Sequence, residues 1–201
     1  HRAIGVTDFL IYTNDCDDGT DDLLDLLAAK GVVAEHLDNP FRQLNGVKPQ
    51  HAALWNAQKR PVTQDADWVI PMDVDEYINI HVGEGRFQDM LDAVPDANMI
   101  AMTWRLFGNG DVHEFQDRPI TEQFLRCAPE FARKPHQAWG FKTLFQNIGL
   151  FKKMGVHRPK GLNPQLWEQI NWVNGSGKPL PREMFRNGWR STTDTYGYDL
   201  V

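Results

Sequence analysis

The stretch ADWVIPMDVDEY, residues 66–77, decides the fold that this sequence predicts. Its first half is apolar, aromatic and β-branched, which is typical of a strand over residues 67–72. In an extended chain Asp73 and Asp75 would point the same way and Val74 would point inward. Because packed carboxylates repel one another, the pattern predicts a site for a cation or a proton. The carboxylates that follow the strand are Asp73, Asp75 and Glu76.

The acidic cluster predicts a divalent metal site. Oxygen ligands suit a hard, six-coordinate ion such as Mg²⁺ or Mn²⁺. Asp73 and Asp75 are the first predicted ligands. His157, much further along the sequence, is a candidate for a further metal ligand or a phosphate contact. A solvated acidic loop without a ligand is the alternative interpretation of the same residues.

Strand and helix patterns alternate on both sides of this stretch. They predict an α/β fold with a mostly parallel, doubly wound sheet and an irregular C-terminal part after Gly108. Such sheets bind ligands beyond the carboxyl ends of their strands. The predicted strands are 8–13, 32–36, 67–72, 98–106 and 141–151, and the predicted helices are 20–31, 49–60, 86–94 and part of 121–133.

The turn at residues 14–20 follows the first predicted strand, so we expect it at the same sheet edge as Asp73. Side chains of this turn are placed to hydrogen-bond a base or a ribose. Turn formation and helix capping by Asp and Thr20 explain the same residues without a ligand. The helix after Thr20 is expected to bury one face, formed by Leu23, Leu24, Leu26 and Leu27.

Composition excludes several classes of protein. The 201 residues are 41% hydrophobic and 24% charged, which indicates a globular domain rather than a disordered or fibrous chain. No apolar run approaches the roughly 18 residues of a membrane span. Two cysteines are too few for a disulfide scaffold and suit a reducing, cytoplasmic location.

Charge divides the chain into an acidic and a basic half. Residues 1–100 hold 18 acidic and 7 basic side chains, whereas residues 101–201 hold 9 and 14. The net charge of −6 argues against a nucleic-acid partner. We interpret the chain as a single domain over 1–201, with a nucleotide- and metal-binding half near 1–107 and an acceptor-side half near 108–201. Ordinary drift in surface composition explains the charges equally well.

An ordered series of motifs resembles a family 2-type glycosyltransferase of the GT-A fold. The series spans most of residues 1–160 and is similar to a bacterial branch of that family. It consists of IYTNDCDDGTDDLLDLL at 11–27, D-x-D-E-[FY] at 73–77 and W-R-x-F-G at 104–108, with echoes at 122–124, 142–144 and 156–159.

The resemblance implies a metal-dependent enzyme of polysaccharide biosynthesis. Such a hexosyltransferase takes a nucleotide-diphosphate sugar as donor and a carbohydrate or other hydroxyl compound as acceptor. Asp73 and Asp75 would hold Mn²⁺ or Mg²⁺ against the diphosphate, and Asn14 and Asp15 would contact the nucleoside. The metal neutralises the departing nucleoside diphosphate.

The resemblance also implies inversion at the sugar, with a carboxylate that deprotonates the acceptor. Glu122 matches the series best, and Asp117 and Glu114 are the alternatives. Arg105 and Lys142 are candidate phosphate contacts. Tryptophans that would stack on sugars, or belong to the core, are Trp104, Trp139, Trp167 and Trp172.

The family starts with a strand and a helix that precede the point where this sequence opens. We therefore expect an incomplete catalytic unit: either the native protein is longer, or another segment or a second copy completes the sheet. A strand exchanged between copies would make a homodimer. Two other functions stay open: a metal-dependent nucleotidyltransferase, and a non-catalytic carbohydrate-binding domain on the same fold.

Overall fold

The computed structural model describes residues 1–135, 138, 140–186 and 195–201. Its helices are α1 (Thr20–Ala29), α2 (Pro49–Ala57), α3 (Pro61–Gln64), α4 (Phe87–Ala93) and α5 (Ile120–Gln123). Its strands are β1 (Leu10–Thr13), β2 (Glu35–Asp38), β3 (Trp68–Val69), β4 (Met99–Thr103), β5 (Phe141–Gln146), β6 (Phe151–Lys153), β7 (Lys160–Leu162) and β8 (Trp172–Asn174). Within those described ranges, no helix has the length and apolar character needed to cross a membrane.

The strands form three small sheets. The largest has the order β3-β5-β4-β8, with β5 antiparallel to both neighbours and β8 parallel to β4. Strands β1 and β2 form a separate parallel pair, and β6 and β7 an antiparallel pair. The α/β class is therefore confirmed, whereas the described sheets are mixed rather than mostly parallel. Strand β5 comes from the C-terminal half and enters between two strands of the N-terminal half, which periodicity alone does not reveal.

Strand β4 lies inside the main sheet because all five of its residues are apolar or small. Met99 and Ala101 face one hydrophobic cluster, together with Phe141 and Trp172. Ile100 and Met102 face a second cluster on the other side. A strand buried on both faces needs a continuous apolar run, and each fully buried large side chain contributes about 1.5–3 kcal/mol.

Helix α1 is less buried than the sequence predicts. Leu24 and Leu27 are half-buried, but Leu23 and Leu26 are 55% and 52% exposed. The prediction of one face with four buried leucines is wrong. The reason is that, among the described elements, α1 makes extensive contact with the two-stranded β1–β2 sheet and with no other helix or strand. Thr20 is the first helical residue rather than the cap, and its amide donates to the Asp18 carboxylate at 3.0 Å.

Helix α2 joins the β1–β2 sheet to the main sheet. Its first residue is Pro49, which has no amide hydrogen to leave unpaired and a φ angle already suited to a helix. Near its other end, Asn56 Oδ1 accepts a hydrogen bond of 2.7 Å from the Tyr12 hydroxyl of β1. Gln50, in its first turn, contacts the loop after β3.

Residues 107–131 leave the main sheet as an exposed arm. The base of the arm is closed by a bridge between Phe107 and Cys127 and by the Gly108 amide, which donates to the Arg126 carbonyl at 3.0 Å. The helix predicted within 121–133 is limited to α5, at 120–123. Large apolar side chains are exposed along the arm: Phe107, Phe115, Ile120, Leu125 and Phe131. Of these, Phe131 also packs edge-on against the rings of Tyr196 and Tyr198.

Candidate functional site

Asp73, Glu76 and Lys142 form a carboxylate–lysine cluster beyond the end of β3. Lys142 is the second residue of β5, and its side chain is only 5% exposed. Its Nζ lies 2.9 Å from Asp73 Oδ2 and 3.3 Å from Glu76 Oε2. Gln50 donates to the other oxygen of Asp73 at 2.7 Å. The chain thus places one buried cation between two carboxylates.

The acidic motif is a turn rather than an extended segment. The Glu76 amide donates to the Asp73 carbonyl at 3.2 Å, and the Asp73 amide donates to Glu76 Oε2 at 2.9 Å. Val74 is 98% exposed, so the prediction that it points inward is wrong. The prediction that the Asp73 and Asp75 side chains point the same way assumed an extended chain, but these residues form a turn. Asp75 lies exposed at the outside of the turn.

The cluster keeps Asp73 ionised. Burial raises the pKa of Asp73, but hydrogen bonds from Lys142 and Gln50 and the charge of Lys142 outweigh burial and lower it. The carboxylate is therefore negatively charged at neutral pH. Two carboxylates against one ammonium leave the cluster with a net negative charge that a bound cation would offset.

His157 borders the cluster in the tautomer that a ligand-binding histidine needs. Its Nδ1 lies 3.1 Å from the Phe141 carbonyl oxygen, which can only accept, so Nδ1 carries the hydrogen. The Nε2 lone pair is then available to a metal, a water or a hydroxyl group. Partial burial lowers the pKa of His157 and favours the neutral ring. Trp104 packs edge-on against it, with ring centroids 5.2 Å apart.

The turn that holds Asn14 is not on the same sheet as Asp73, so that prediction is wrong. A chain of polar contacts joins them instead. Asn39 Nδ2 lies 3.4 Å from Asn14 Oδ1 and 3.1 Å from the Pro49 carbonyl oxygen. The next residue, Gln50, donates to Asp73. Asn14 therefore lies across the N-terminal end of α2 from the cluster.

Three of the predicted binding residues are held by the chain itself: Lys142 in the carboxylate–lysine cluster, Asp15 and Arg105. Asp15, in the left-handed region at φ 60°, forms an ion pair with Arg42. Arg105 donates to the Ala128 carbonyl at 2.6 Å and to Glu130 at 2.9 Å. Each needs to exchange a partner to reach a ligand, and their substrate roles stay predictions.

The candidate bases lie in the exposed arm. Glu122 is in α5, and Asp117 and Glu114 precede it; all three side chains are exposed. Across the described part of the chain, none of the three shares a hydrogen bond or ion pair with the carboxylate–lysine cluster. Their assignment as general bases stays a prediction.

The tryptophans have different surroundings. Trp172 is 1% exposed in the core, and Trp167 packs on the same hydrophobic cluster. Trp139 lies outside the described residues. Trp104 is half-buried, and its Nε1 is buried without a hydrogen-bond partner among the described residues. Trp104 is thus the described tryptophan that borders the site.

The described part of the acidic motif offers a divalent ion one exposed carboxylate rather than a closed protein centre. Among the described residues, no three His, Cys, Asp or Glu side chains group as a metal centre. Both oxygens of Asp73 already accept hydrogen bonds, which leaves exposed Asp75 as the available carboxylate of the motif. Mg²⁺ commonly binds through one or two carboxylates together with substrate phosphates.

Comparison with protein-family models, curated proteins and solved structures gave no match to this chain. The site is therefore defined by its own geometry. Sequence reasoning missed Gln50 and Asn39, which connect the two loops, because neither belongs to a motif and only the folded position of α2 brings them there.

Proposed function

We propose that this chain is a glycosyltransferase that moves a hexosyl group from a nucleotide-diphosphate sugar to a hydroxyl acceptor. One observation carries the proposal. Asp73, Lys142, His157 and Trp104 come from separate stretches of sequence, and they meet near the end of β3 in contact with one another or with common neighbours. Such convergence of polar groups, an aromatic ring and a perturbed carboxylate supports a ligand site.

Each element has a role in this proposal. Asn14 contacts the nucleoside, and Asp75 holds Mn²⁺ or Mg²⁺ together with the diphosphate. When bound, the metal supplies positive charge to the departing diphosphate. Lys142 fixes Asp73 and Glu76, and Trp104 provides an apolar face for the sugar. Glu122 takes the proton of the acceptor hydroxyl once the arm approaches the donor.

A second candidate is a carbohydrate-binding domain without catalysis. Lys142 already neutralises much of the charge of Asp73 and Glu76, so the cluster is stable without a divalent ion. The half-buried Trp104 and the exposed Tyr77 offer aromatic faces to a sugar near the cluster. This candidate predicts sugar binding that chelation of metals does not change.

A thermal-shift screen of nucleotide sugars separates the two candidates. Donors would be tested with MnCl₂ and with EDTA, followed by detection of free nucleoside diphosphate and of glycosylated acceptor. The proposal predicts stabilisation by one donor in MnCl₂ and its loss in EDTA. Stabilisation by free sugars alone, unchanged in EDTA, would select the binding domain. No response to any donor in either condition would contradict the proposed transferase.

A further inference from the structure

A cavity lies at the opposite end of β5 from the carboxylate–lysine cluster. It encloses about 250 Å³ between α3, the end of β5 and β6. Its apolar part is formed by Val69, Phe145, Leu150 and Met154. Lys142 and Gln146 are four residues apart on β5, so the two sites are separated by roughly 13 Å along the strand.

The cavity is lined by cations and by no acidic residue. Lys59, Lys152 and Lys153 belong to its wall, and the described lining contains no Asp or Glu. Lys160 of β7 lies directly opposite Lys153 of β6 in the antiparallel register. Like charges at such positions repel each other and destabilise the strand pair.

Among the described residues, no carboxylate forms an ion pair with these lysines. None of the four appears in an ion pair within the described part of the chain, and all four are exposed. The concentration of positive charge is notable in a chain whose net charge is −6. An anion in the cavity beside Lys153 would offset part of the repulsion between Lys153 and Lys160.

We infer that this cavity binds the phosphate group of a small phosphorylated molecule. The lysines supply the charge for the phosphate, and the apolar wall accepts the adjoining carbon skeleton. Amide side chains of Gln64 and Gln146 line the same space. The site is distinct from the proposed donor site, and it does not depend on transferase activity.

The test is a calorimetric titration of inorganic pyrophosphate in EDTA at low salt. The double variant Lys59→Glu/Lys153→Glu should bind at least about tenfold more weakly than the parent. A matched control, Lys30→Glu/Lys178→Glu, makes the same charge change at exposed lysines outside the cavity. It should bind as the parent does.

Lys59→Gln/Lys153→Gln is the second cavity variant, because it removes the charges without adding acidic groups. A weaker effect in the same direction supports the inference, provided that urea unfolding shows the variants folded. Parental affinity in both cavity variants would overturn the inference. Equal losses in the cavity and control variants would also overturn it, because they indicate non-specific attraction.

Vesicles of phosphatidylcholine with phosphatidic acid distinguish a lipid headgroup from a soluble phosphate ester. Binding of the parent to vesicles, lost in the cavity variants, assigns the phosphate to a lipid. Binding of pyrophosphate without binding to vesicles assigns it to a soluble ester. Absence of both would contradict the inferred site.

Discussion

The carboxylate–lysine cluster and the exposed arm both carry acidic side chains, but they hold them in opposite ways. Asp73 accepts hydrogen bonds from Lys142 and Gln50, and Glu76 accepts one from the Asp73 amide. Glu122 and Asp117 project into solvent from the arm. The partly buried carboxylates of the cluster need hydrogen-bond partners within the protein, whereas water solvates the exposed carboxylates of Glu122 and Asp117. The cluster is therefore organised by contacts within the chain, whereas Glu122 and Asp117 of the arm face solvent.

The carboxylate–lysine cluster and the arm also differ in the contacts that fix them to the rest of the fold. Lys142 lies on β5, which pairs with strands on both sides. The arm is closed at its base. It also holds an ion pair in which the Arg126 side chain is 76% exposed and the Asp111 side chain is 81% exposed. An exposed pair of this kind contributes about 0–1 kcal/mol. Substitutions should therefore affect folding in the cluster and activity in the arm.

The largest effect on folding is expected from Lys142→Met. Removing the ammonium leaves Asp73 and Glu76 facing each other without a counter-charge, and breaking a buried pair costs about 3–5 kcal/mol. Because the Asp73 side chain is 41% exposed, we expect a loss near the lower end, about 3 kcal/mol, in urea unfolding. The exposed control Lys30→Met should change stability by less than about 0.5 kcal/mol. Parental stability of Lys142→Met would show that the cluster does not support the fold.

The largest effect on activity is expected from Glu122→Gln. A positioned general base contributes about 100-fold or more, so kcat should fall at least that far while donor affinity stays unchanged. Unfolding in urea should match the parent, since the side chain is exposed. If kcat is parental, either the base is Glu114 or Asp117, which the same two measurements on their amide variants would identify, or the enzyme does not invert.

The sequence predicted individual helices and strands better than it predicted how the strands pair into sheets. The first turn of α2 at Pro49 and the apolar run of β4 follow from local chemistry, and both are confirmed. The place of β5 between β3 and β4 depends on long-range pairing, for which its own residues carry no signal. The partners of Lys142 follow from that pairing. The turn at Val74 was missed because alternation in sequence does not reveal where a strand ends.

A pH dependence should distinguish the cluster from the arm. Partial burial lowers the pKa of His157, so the unfolded chain binds a proton at higher pH than the folded chain does. Stability is then lost as pH falls through the ordinary histidine value of about 6.5. We expect the urea midpoint of the parent to fall more steeply between about pH 7.5 and 5.5 than that of His157→Asn. Identical slopes would show that His157 is not coupled to folding.

The smallest effect is expected from Phe115→Ser in the arm. The ring is 92% exposed, so its loss should change the free energy of unfolding by less than about 0.5 kcal/mol. Chemical denaturation measures this directly, and Leu125→Ser is a companion variant at a side chain 71% exposed. A loss of more than about 1 kcal/mol in either would mean that the arm packs on the domain in solution.

The most direct test of the proposed donor site is calorimetric titration of UDP and GDP, with MnCl₂, into the parent and Asp75→Asn. Asp75 is exposed and its loss should leave the fold intact, so any change reports on binding. We predict at least about tenfold weaker binding of the preferred nucleotide, equivalent to about 1.4 kcal/mol. The control Asp96→Asn, at another exposed aspartate, should bind as the parent does. Equal affinity of Asp75→Asn and the parent would contradict the assignment of this turn as the nucleotide-sugar site.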